Sequence, residues 1–228
     1  MPKFVLFAAP LLFIAHSAFA QDVPAETPAP APETAHKPAT QRVIIETTRG
    51  DITLALETER APITAANFLR YADEDRFDGT VFYRAMKVNW GDQPNGLLQG
   101  GTQNDPKRIL DPIEHEPTTD TGLSHTRGAI SMARFAPGTA TGDFSIMLGE
   151  MTGLDAHPEA DNDDAKAGFA VFGHVVDGMD VVENIFNSAI DPEKGEGFLK
   201  GQMLAEPVEI LDVHRVETDE ADEDQPTP

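Results

Sequence analysis

Thr80-Val-Phe-Tyr-Arg84, followed by Leu98-Gln-Gly-Gly101, opens the part of the chain that decides the fold. Two more blocks come next, Gly128-Ala-Ile-Ser-Met-Ala133 and Gly142-Asp-Phe-Ser-Ile146, and Phe169-Ala-Val-Phe-Gly173 ends the series. Most of these residues are β-branched, aromatic or otherwise apolar, and that composition is typical of short β-strands. We therefore predict that the centre of the chain is mainly β.

The flanking segments continue this pattern and add two helices. Residues 42–48 and 51–56 are β-rich and are separated by Arg49-Gly50, which predicts a hairpin. Pro62 predicts the start of one helix, because proline is tolerated at the first helical position. Asp177 predicts the start of another, because its carboxylate can cap free amides. The remaining strand candidates are 80–86, 97–100, 129–133, 144–148, 170–175 and 208–216.

Together with the hairpin, these candidates give eight strands and two helices. The predicted fold is mainly β: a closed, eight-stranded antiparallel barrel capped by two α-helices. Closure is favoured because it removes the exposed sheet edges that invite aggregation.

The length and net charge of the chain limit the classes of function that it can have. The 228 residues, 40% of them hydrophobic, fit one sizeable domain with appendages. The formal net charge of -22 argues against a nucleic-acid partner, because phosphate binding needs clustered Lys and Arg. The chain contains no Cys, so we predict that its stability does not depend on disulfides.

The amino-terminal residues have the composition of a targeting segment. Residues 1–20 combine Lys3, an apolar run and Ala18-Phe19-Ala20, which predicts a secretory signal peptide cleaved after Ala20. An uncleaved membrane anchor is the alternative. The apolar run is shorter than the ~20 residues that span a bilayer, so we expect no stable membrane insertion.

Low-complexity segments flank the expected domain, which spans residues 42–216. Residues 21–41 are rich in Pro and Ala and cannot bury enough apolar surface to offset ordering, which predicts a disordered linker. Residues 217–228 carry a high density of acids and predict a disordered acidic tail.

In their order and spacing, the five blocks resemble those of the cyclophilins, and the resemblance covers residues 42–216. It implies a peptidyl-prolyl cis-trans isomerase on a closed β-barrel, with no cofactor. The implied partners are proline-containing segments of unfolded or partly folded envelope proteins. With the signal peptide, this predicts a periplasmic protein, which we expect to be a monomer. The alternative is a cyclophilin-fold peptide-binding module or chaperone with little or no isomerase activity.

The resemblance implies that Arg84 and Gln99 are catalytic. Rotation about the amide breaks its resonance against a barrier of ~18–20 kcal/mol. In the twisted state the imide nitrogen regains a lone pair, to which Arg84 would donate a hydrogen bond, while Gln99 would hold the substrate backbone or brace Arg84. Strand alternation predicts that Arg84 points the same way as Phe82, whereas Tyr83 faces the other side. The implied substrate-binding residues are Phe82, Tyr83, Leu97, Met132, Ala133, Arg134, Asp143, Phe144, Leu154 and Phe169.

Several positions in the implied pocket depart from the family pattern. Ser145, Gly153 and Gly96 stand where large apolar residues are usual, and Asp143 stands where a Gln is expected. We therefore expect a pocket with a reduced apolar wall, and Trp90, in a long connection, is the candidate to refill it.

The sequence predicts no metal site. Its histidines lack metal-ligand spacing. Residues 161–164 are acidic, but the segment lacks the Gly and terminal Glu of a calcium loop.

Overall fold

The computed structural model describes residues 36–217, which contain nine β-strands and four α-helices. The strands are β1 (Gln41–Thr47), β2 (Gly50–Leu56), β3 (Val81–Lys87), β4 (Gly96–Gly101), β5 (Ala129–Met132), β6 (Asp143–Met147), β7 (Val171–Asp177), β8 (Ile190–Asp191) and β9 (Met203–Arg215). The helices are α1 (Pro62–Asp73), α2 (Thr118–Thr121), α3 (Asp163–Ala167) and α4 (Met179–Phe186). The predicted signal peptide, most of the linker and nearly all of the tail lie outside the described residues.

Eight of the strands close into an antiparallel barrel. Around the sheet their order is β1-β2-β7-β5-β6-β4-β3-β9, and β9 pairs again with β1. The two-residue strand β8 pairs with β9 outside this ring. The predicted eight-stranded antiparallel barrel is confirmed.

The barrel interior is an apolar core that α1 helps to fill. Helix α1 begins at Pro62, as predicted, and buries Phe68 on its inner face. The Phe68 ring lies 4.9 Å from that of Phe77, 5.3 Å from that of Phe144 and 5.5 Å from that of Phe172, centroid to centroid. These four side chains are almost completely buried, so the aromatic cluster joins the helix to β6, to β7 and to the connection before β3.

The second predicted helix, α4, starts differently from the expectation. The Asp177 carboxylate accepts only the N–H of Gly178, at 2.9 Å, and Gly178 is the residue that precedes the helix. Gly178 has a φ of 80°, a left-handed conformation that glycine adopts without strain. Val182, Ile185 and Phe186 of α4 are buried in the same core as α1.

Two short helices were not predicted. Helix α2 has four residues, too few to show a helical period. Helix α3 lies at the acidic segment 161–164, where the Asn162 side chain accepts the N–H of Ala165 at 2.8 Å. This bond is an ordinary amino-terminal cap.

The chain joins the barrel slightly before residue 42. Strand β1 begins at Gln41, and the backbone N–H of Ala39 donates to the Glu59 carboxylate at 2.8 Å. The Thr58 hydroxyl donates to the Ala39 carbonyl at 3.0 Å.

Within the described residues, no helix has the length and apolar character needed to cross a membrane.

Candidate active site

A cavity of about 410 Å³ opens on the outer face of strands β3, β4, β6 and β5. Gln99, Ser145 and Ser131 face it from three neighbouring strands, and the residues on either side of Ser145 and Ser131 belong to the barrel core. Strand alternation thus separates an outer, polar row from the inner, apolar one. The lining residues are Tyr83, Arg84, Met86, Leu97, Gln99, Asn104, Ser131, Met132, Ala133, Arg134, Phe135, Thr139, Thr141, Asp143, Ser145, Met147, Leu154, Phe169, Phe198 and Leu199.

Arg84 and Gln99 lie opposite each other on β3 and β4 and are hydrogen-bonded. Arg84 Nη1 donates to Gln99 Oε1 at 2.7 Å. The sequence prediction for Arg84 was wrong in one respect, because the strand register shifts between Phe82 and Arg84. This β-bulge interrupts the alternation, so that Tyr83 and Arg84 both line the cavity while Phe82 points into the barrel.

Gln202, which the sequence did not indicate, holds the other side of the guanidinium. Its Oε1 accepts from Arg84 Nε at 2.9 Å and from Nη2 at 2.7 Å, and its Nε2 donates to the Phe198 carbonyl at 2.7 Å. Gln202 is 118 residues from Arg84, and only barrel closure brings them together. Two glutamine carbonyls thus fix the plane of the guanidinium.

Arg84 keeps donors for a ligand. A guanidinium has five N–H groups, and three are used by the two glutamines, so two remain. Within residues 36–217, no carboxylate lies within 4.0 Å of the guanidinium nitrogens. Burial lowers the pKa of Arg84 from its ordinary value, but arginine stays charged in proteins. Among the described residues, the positive charge that Arg84 presents to the cavity therefore has no direct ion-pair partner.

Tyr83 and Asp143 form a buried pair in the wall of the cavity. The Tyr83 hydroxyl donates to Asp143 Oδ1 at 3.1 Å. The same carboxylate accepts the N–H groups of Gln103 and Asn104, both with left-handed backbone, at 2.9 and 3.1 Å. Burial raises the pKa of both Tyr83 and Asp143, and the two backbone bonds oppose the rise at Asp143. Asp143 thereby fixes the loop that carries Asn104 to the cavity.

Methionines, rather than Trp90, supply the apolar wall. Met86 and Met147 line the cavity beside Leu97 and Leu154, whereas Trp90 is 52% exposed and does not line it. The suggestion that Trp90 refills the wall was therefore wrong.

The backbone conformation at position 96, rather than the shape of the pocket, requires a glycine there. A side chain there would place its Cβ 1.9 Å from the Met86 carbonyl oxygen, and the φ of Gly96 is 134°. A large residue cannot occupy this position, so the missing apolar bulk at Gly96 follows from the strand geometry.

Ten of the twelve predicted site residues line the cavity, and two do not. Phe82 and Phe144 are fully buried in the barrel, with ring centroids 5.8 Å apart in an edge-to-face contact. Their placement in the pocket was wrong, because both side chains point to the inner face of their strands. The ten that do line the cavity are Arg84, Gln99, Tyr83, Leu97, Met132, Ala133, Arg134, Asp143, Leu154 and Phe169.

A buried polar network supports the wall behind Ser131. His125 is completely buried, with Nε2 2.9 Å from Ser131 Oγ and Nδ1 2.6 Å from Asp155 Oδ1. Asp155 also accepts from the Ser124 hydroxyl at 2.5 Å. Because Asp155 directly follows Leu154, the network fixes one apolar side of the cavity to strand β5.

His125 is expected to make the stability of the protein depend on pH. Burial lowers its pKa below the ordinary 6.5, and this effect outweighs the neighbouring Asp155. The unfolded chain then binds a proton that the folded protein does not, so the free energy of unfolding falls as pH drops below about 6.5, by at most about 1.4 kcal/mol per pH unit. Urea unfolding of the parent and of His125→Asn at pH 7.5 to 5.0 measures this slope.

The His125→Asn variant is expected to lose the part of the slope that His125 contributes, whatever its absolute stability. His157→Asn, which removes an exposed histidine, is the control and should retain it. Burial opposes ionisation of Asp155, but hydrogen bonds from Ser124 and His125 outweigh this effect and lower the pKa of Asp155. The contribution of Asp155 to the free energy of unfolding is therefore lost only at lower pH. An identical slope in His125→Asn and in the parent would contradict the assignment.

One cluster of side chains outside the cavity has the composition of a metal site. Ligand atoms of Glu46, Asp212 and His214 lie within 4.8 Å of one another, the only such group in the described part of the chain. None of the three lines the cavity. His214 Nδ1 is 2.7 Å from Asp212 Oδ2, and all three residues are partly exposed, as in an ordinary hydrogen-bonded surface cluster.

Several residues of the cavity carry no signal in the sequence. They belong to strand faces or loops whose composition is unremarkable, and only tertiary pairing identifies them. Ser131 faces Ser145 across β5 and β6, and Phe198 and Leu199 come from the connection between β8 and β9. The missed residues are Met86, Asn104, Ser131, Phe135, Thr139, Thr141, Met147, Phe198, Leu199 and, through Arg84, Gln202.

Comparisons with known proteins agree on one family. Residues 42–215 match the family described as cyclophilin type peptidyl-prolyl cis-trans isomerase/CLD. The chain is 37% identical over 157 residues to a peptidyl-prolyl cis-trans isomerase of Acinetobacter baylyi, covering 67% of this chain and 76% of that protein. It is 35% identical over 148 residues to peptidyl-prolyl cis-trans isomerase B of Escherichia coli, covering 63% and 82%.

A solved structure shows the same fold. It is a cyclophilin type peptidyl-prolyl cis-trans isomerase of Cryptosporidium parvum in the presence of the dipeptide Ala-Pro. The TM-score is 0.61 at 21% identity, over 78% of this chain and 99% of that one.

Proposed function

This chain belongs to the cyclophilin-type peptidyl-prolyl cis-trans isomerases, and we propose that it isomerises Xaa-Pro bonds of exported proteins at the cavity lined by Arg84. The isomerase activity rests on the family match and on relatives of the same name. One observation supports the choice of cavity: a half-buried guanidinium, held by two glutamines, keeps two N–H groups free.

In the proposed mechanism, these free N–H groups act on the twisted amide. Isomerisation moves no proton and breaks no bond, so the protein must favour the twisted state over both planar ones. The imide nitrogen then regains a lone pair, which Arg84 meets with a hydrogen bond. Because Gln99 and Gln202 fix the guanidinium beforehand, little reorganisation accompanies the step.

The proposed ligand is a proline-containing segment of an unfolded or partly folded chain. The cavity combines an apolar side, formed by Met86, Leu97, Met147 and Leu154, with a polar row that suits peptide groups. The similar Cryptosporidium parvum structure was determined in the presence of Ala-Pro, which supports this class of ligand. A protease-coupled assay with a proline tetrapeptide tests turnover, and absence of any acceleration would favour the peptide-binding or chaperone alternative.

Export to the periplasm is part of the proposal. It is supported by the basic, apolar and small-residue pattern of residues 1–20. When the chain is expressed in a bacterium with two membranes, mass spectrometry of the periplasmic fraction is expected to find a protein that begins at Gln21. A full-length chain in the cytoplasmic or membrane fraction would contradict the proposal.

Ser145→Phe is expected to strengthen peptide binding. Ser145 lines the cavity where the family usually has a large apolar residue, and a buried phenyl ring contributes on the order of 1.5 to 3 kcal/mol. The expected result is a KM for the tetrapeptide lower by about tenfold. Ser188→Phe adds the same ring outside the cavity and is the control. An unchanged KM in a folded Ser145→Phe protein would show that the proline binds elsewhere.

A further inference from the structure

Two phenylalanines are far more exposed than the other large apolar side chains of the described residues. Phe135 is 79% exposed and Phe198 is 80% exposed, whereas Trp90 reaches 52%. Single exposed apolar side chains are common and need no explanation. These two are different because both lie on the rim of the Arg84 cavity.

The two rings come from separate loops, each of which is held in place. The N–H of Phe135 donates to Thr139 Oγ1 at 3.1 Å, and its carbonyl accepts from Arg134 Nη1 at 2.9 Å. The Arg134 guanidinium lies over the ring of Phe169, 4.6 Å from its centroid, and bonds the Gly168 carbonyl. Phe135 is thus presented by an ordered backbone.

Phe198 is fixed through the catalytic cluster itself. Gln202 bonds the Phe198 carbonyl with its Nε2 and the Arg84 guanidinium with its Oε1. The Phe198 ring lies 5.9 Å from Arg84 Cζ. Because the backbone that carries the ring is already held, less conformational entropy is lost when Phe198 binds a partner.

We propose that Phe135 and Phe198 extend the Arg84 cavity into a surface that binds apolar side chains flanking the proline of an unfolded polypeptide. The proposal rests on the proposed function of the cavity. A proline-containing segment is the expected ligand of this surface because both rings line the same cavity in which the proline would lie. Unfolded chains carry the apolar side chains that folded proteins bury, so such a surface selects unfolded clients over folded ones.

Competition between peptides tests the proposal. The reporter is the isomerisation of a proline tetrapeptide, and the competitor is a longer peptide with Leu and Phe on each side of one Ala-Pro. A matched peptide has Ser in place of each Leu and Phe. We expect the apolar peptide to compete at least about tenfold better than the Ser peptide with the parent protein.

The double variant Phe135→Ala/Phe198→Ala is expected to reduce this preference to less than about twofold. Phe198→Leu, which keeps apolar bulk, should retain most of it. Trp90→Ala removes an exposed aromatic residue outside the cavity and should leave both the preference and the tetrapeptide rate unchanged. A preference that survives in the double variant would overturn the proposal.

Two further outcomes separate the possible errors. If the parent has no activity on the tetrapeptide, the proposed function fails, and the two peptides, fluorescently labelled, then test the surface by direct binding. If sedimentation shows that the parent is a dimer and the double variant is a monomer, the rings are covered by a second copy of the chain. That result would also overturn the proposal.

Discussion

Arg84→Ala is expected to lower kcat/KM for a proline tetrapeptide by roughly 100- to 1000-fold, since removing one preorganised donor to a transition state costs about 2.7 to 4 kcal/mol. Arg84 is the charged donor of the cavity that keeps free N–H groups after bonding Gln99 and Gln202. Arg84→Lys should also be poor, because an ammonium cannot reproduce the planar arrangement of donors. The protease-coupled assay measures the effect.

The control for Arg84→Ala is Arg42→Ala, which removes an exposed arginine from β1. Arg42→Ala should keep the parent rate, and both variants should show a cooperative thermal transition. Arg84 faces the outer side of the barrel, so its removal leaves the apolar core intact. A folded Arg84→Ala protein with the parent's activity would remove Arg84 from the mechanism.

Phe68→Ala is expected to lower the free energy of unfolding by about 3 to 5 kcal/mol, the cost of a large cavity in a packed core. Phe68 connects α1 with Phe77, Phe144 and Phe172, and the surrounding strands cannot collapse into the space because the barrel is closed. Urea unfolding measures this change in free energy, provided that the slope of free energy against urea concentration is the same in the variant and the parent.

Ile63→Ala, on the exposed side of the same helix, is the matched control. Ile63 is 40% exposed, and its truncation should cost less than about 1 kcal/mol. If Phe68→Ala proves no more costly than Ile63→Ala, then α1 does not depend on the aromatic cluster.

The strands were largely predictable because their signals are local. Alternating or continuous apolar residues bounded by turns identify seven of the barrel strands to within a residue or two. Strand β9 was the exception: it was expected from residue 208, but it begins at Met203. Its first part contains Glu206 and Pro207, which are unusual in strands, and pairing with β3 and β8 overrides that local preference.

The site was less predictable, for two physical reasons. The bulge at Tyr83 changes which residues face outward, and a count of alternating positions cannot reveal it. Gln202 reaches Arg84, and Phe198 reaches the cavity, only because β9 closes the barrel beside β3, so nothing near Arg84 in the sequence indicates them. The site residues that the sequence did indicate were those in or near the five blocks that resemble the cyclophilins.

Where a strand has one face in the core and the other in the cavity, the cavity residues can change while the core residues keep the fold. On β6, Ser145 lies between Phe144 and Ile146, which are completely buried, yet Ser145 itself contributes to the cavity and not to the core. If the cavity binds the substrate as proposed, a substitution at Ser145 is expected to change ligand preference with little cost to the free energy of folding. Over the matched part of the chain, where relatives are 35 to 37% identical, the inward-facing positions are therefore expected to tolerate less change than the cavity-facing ones.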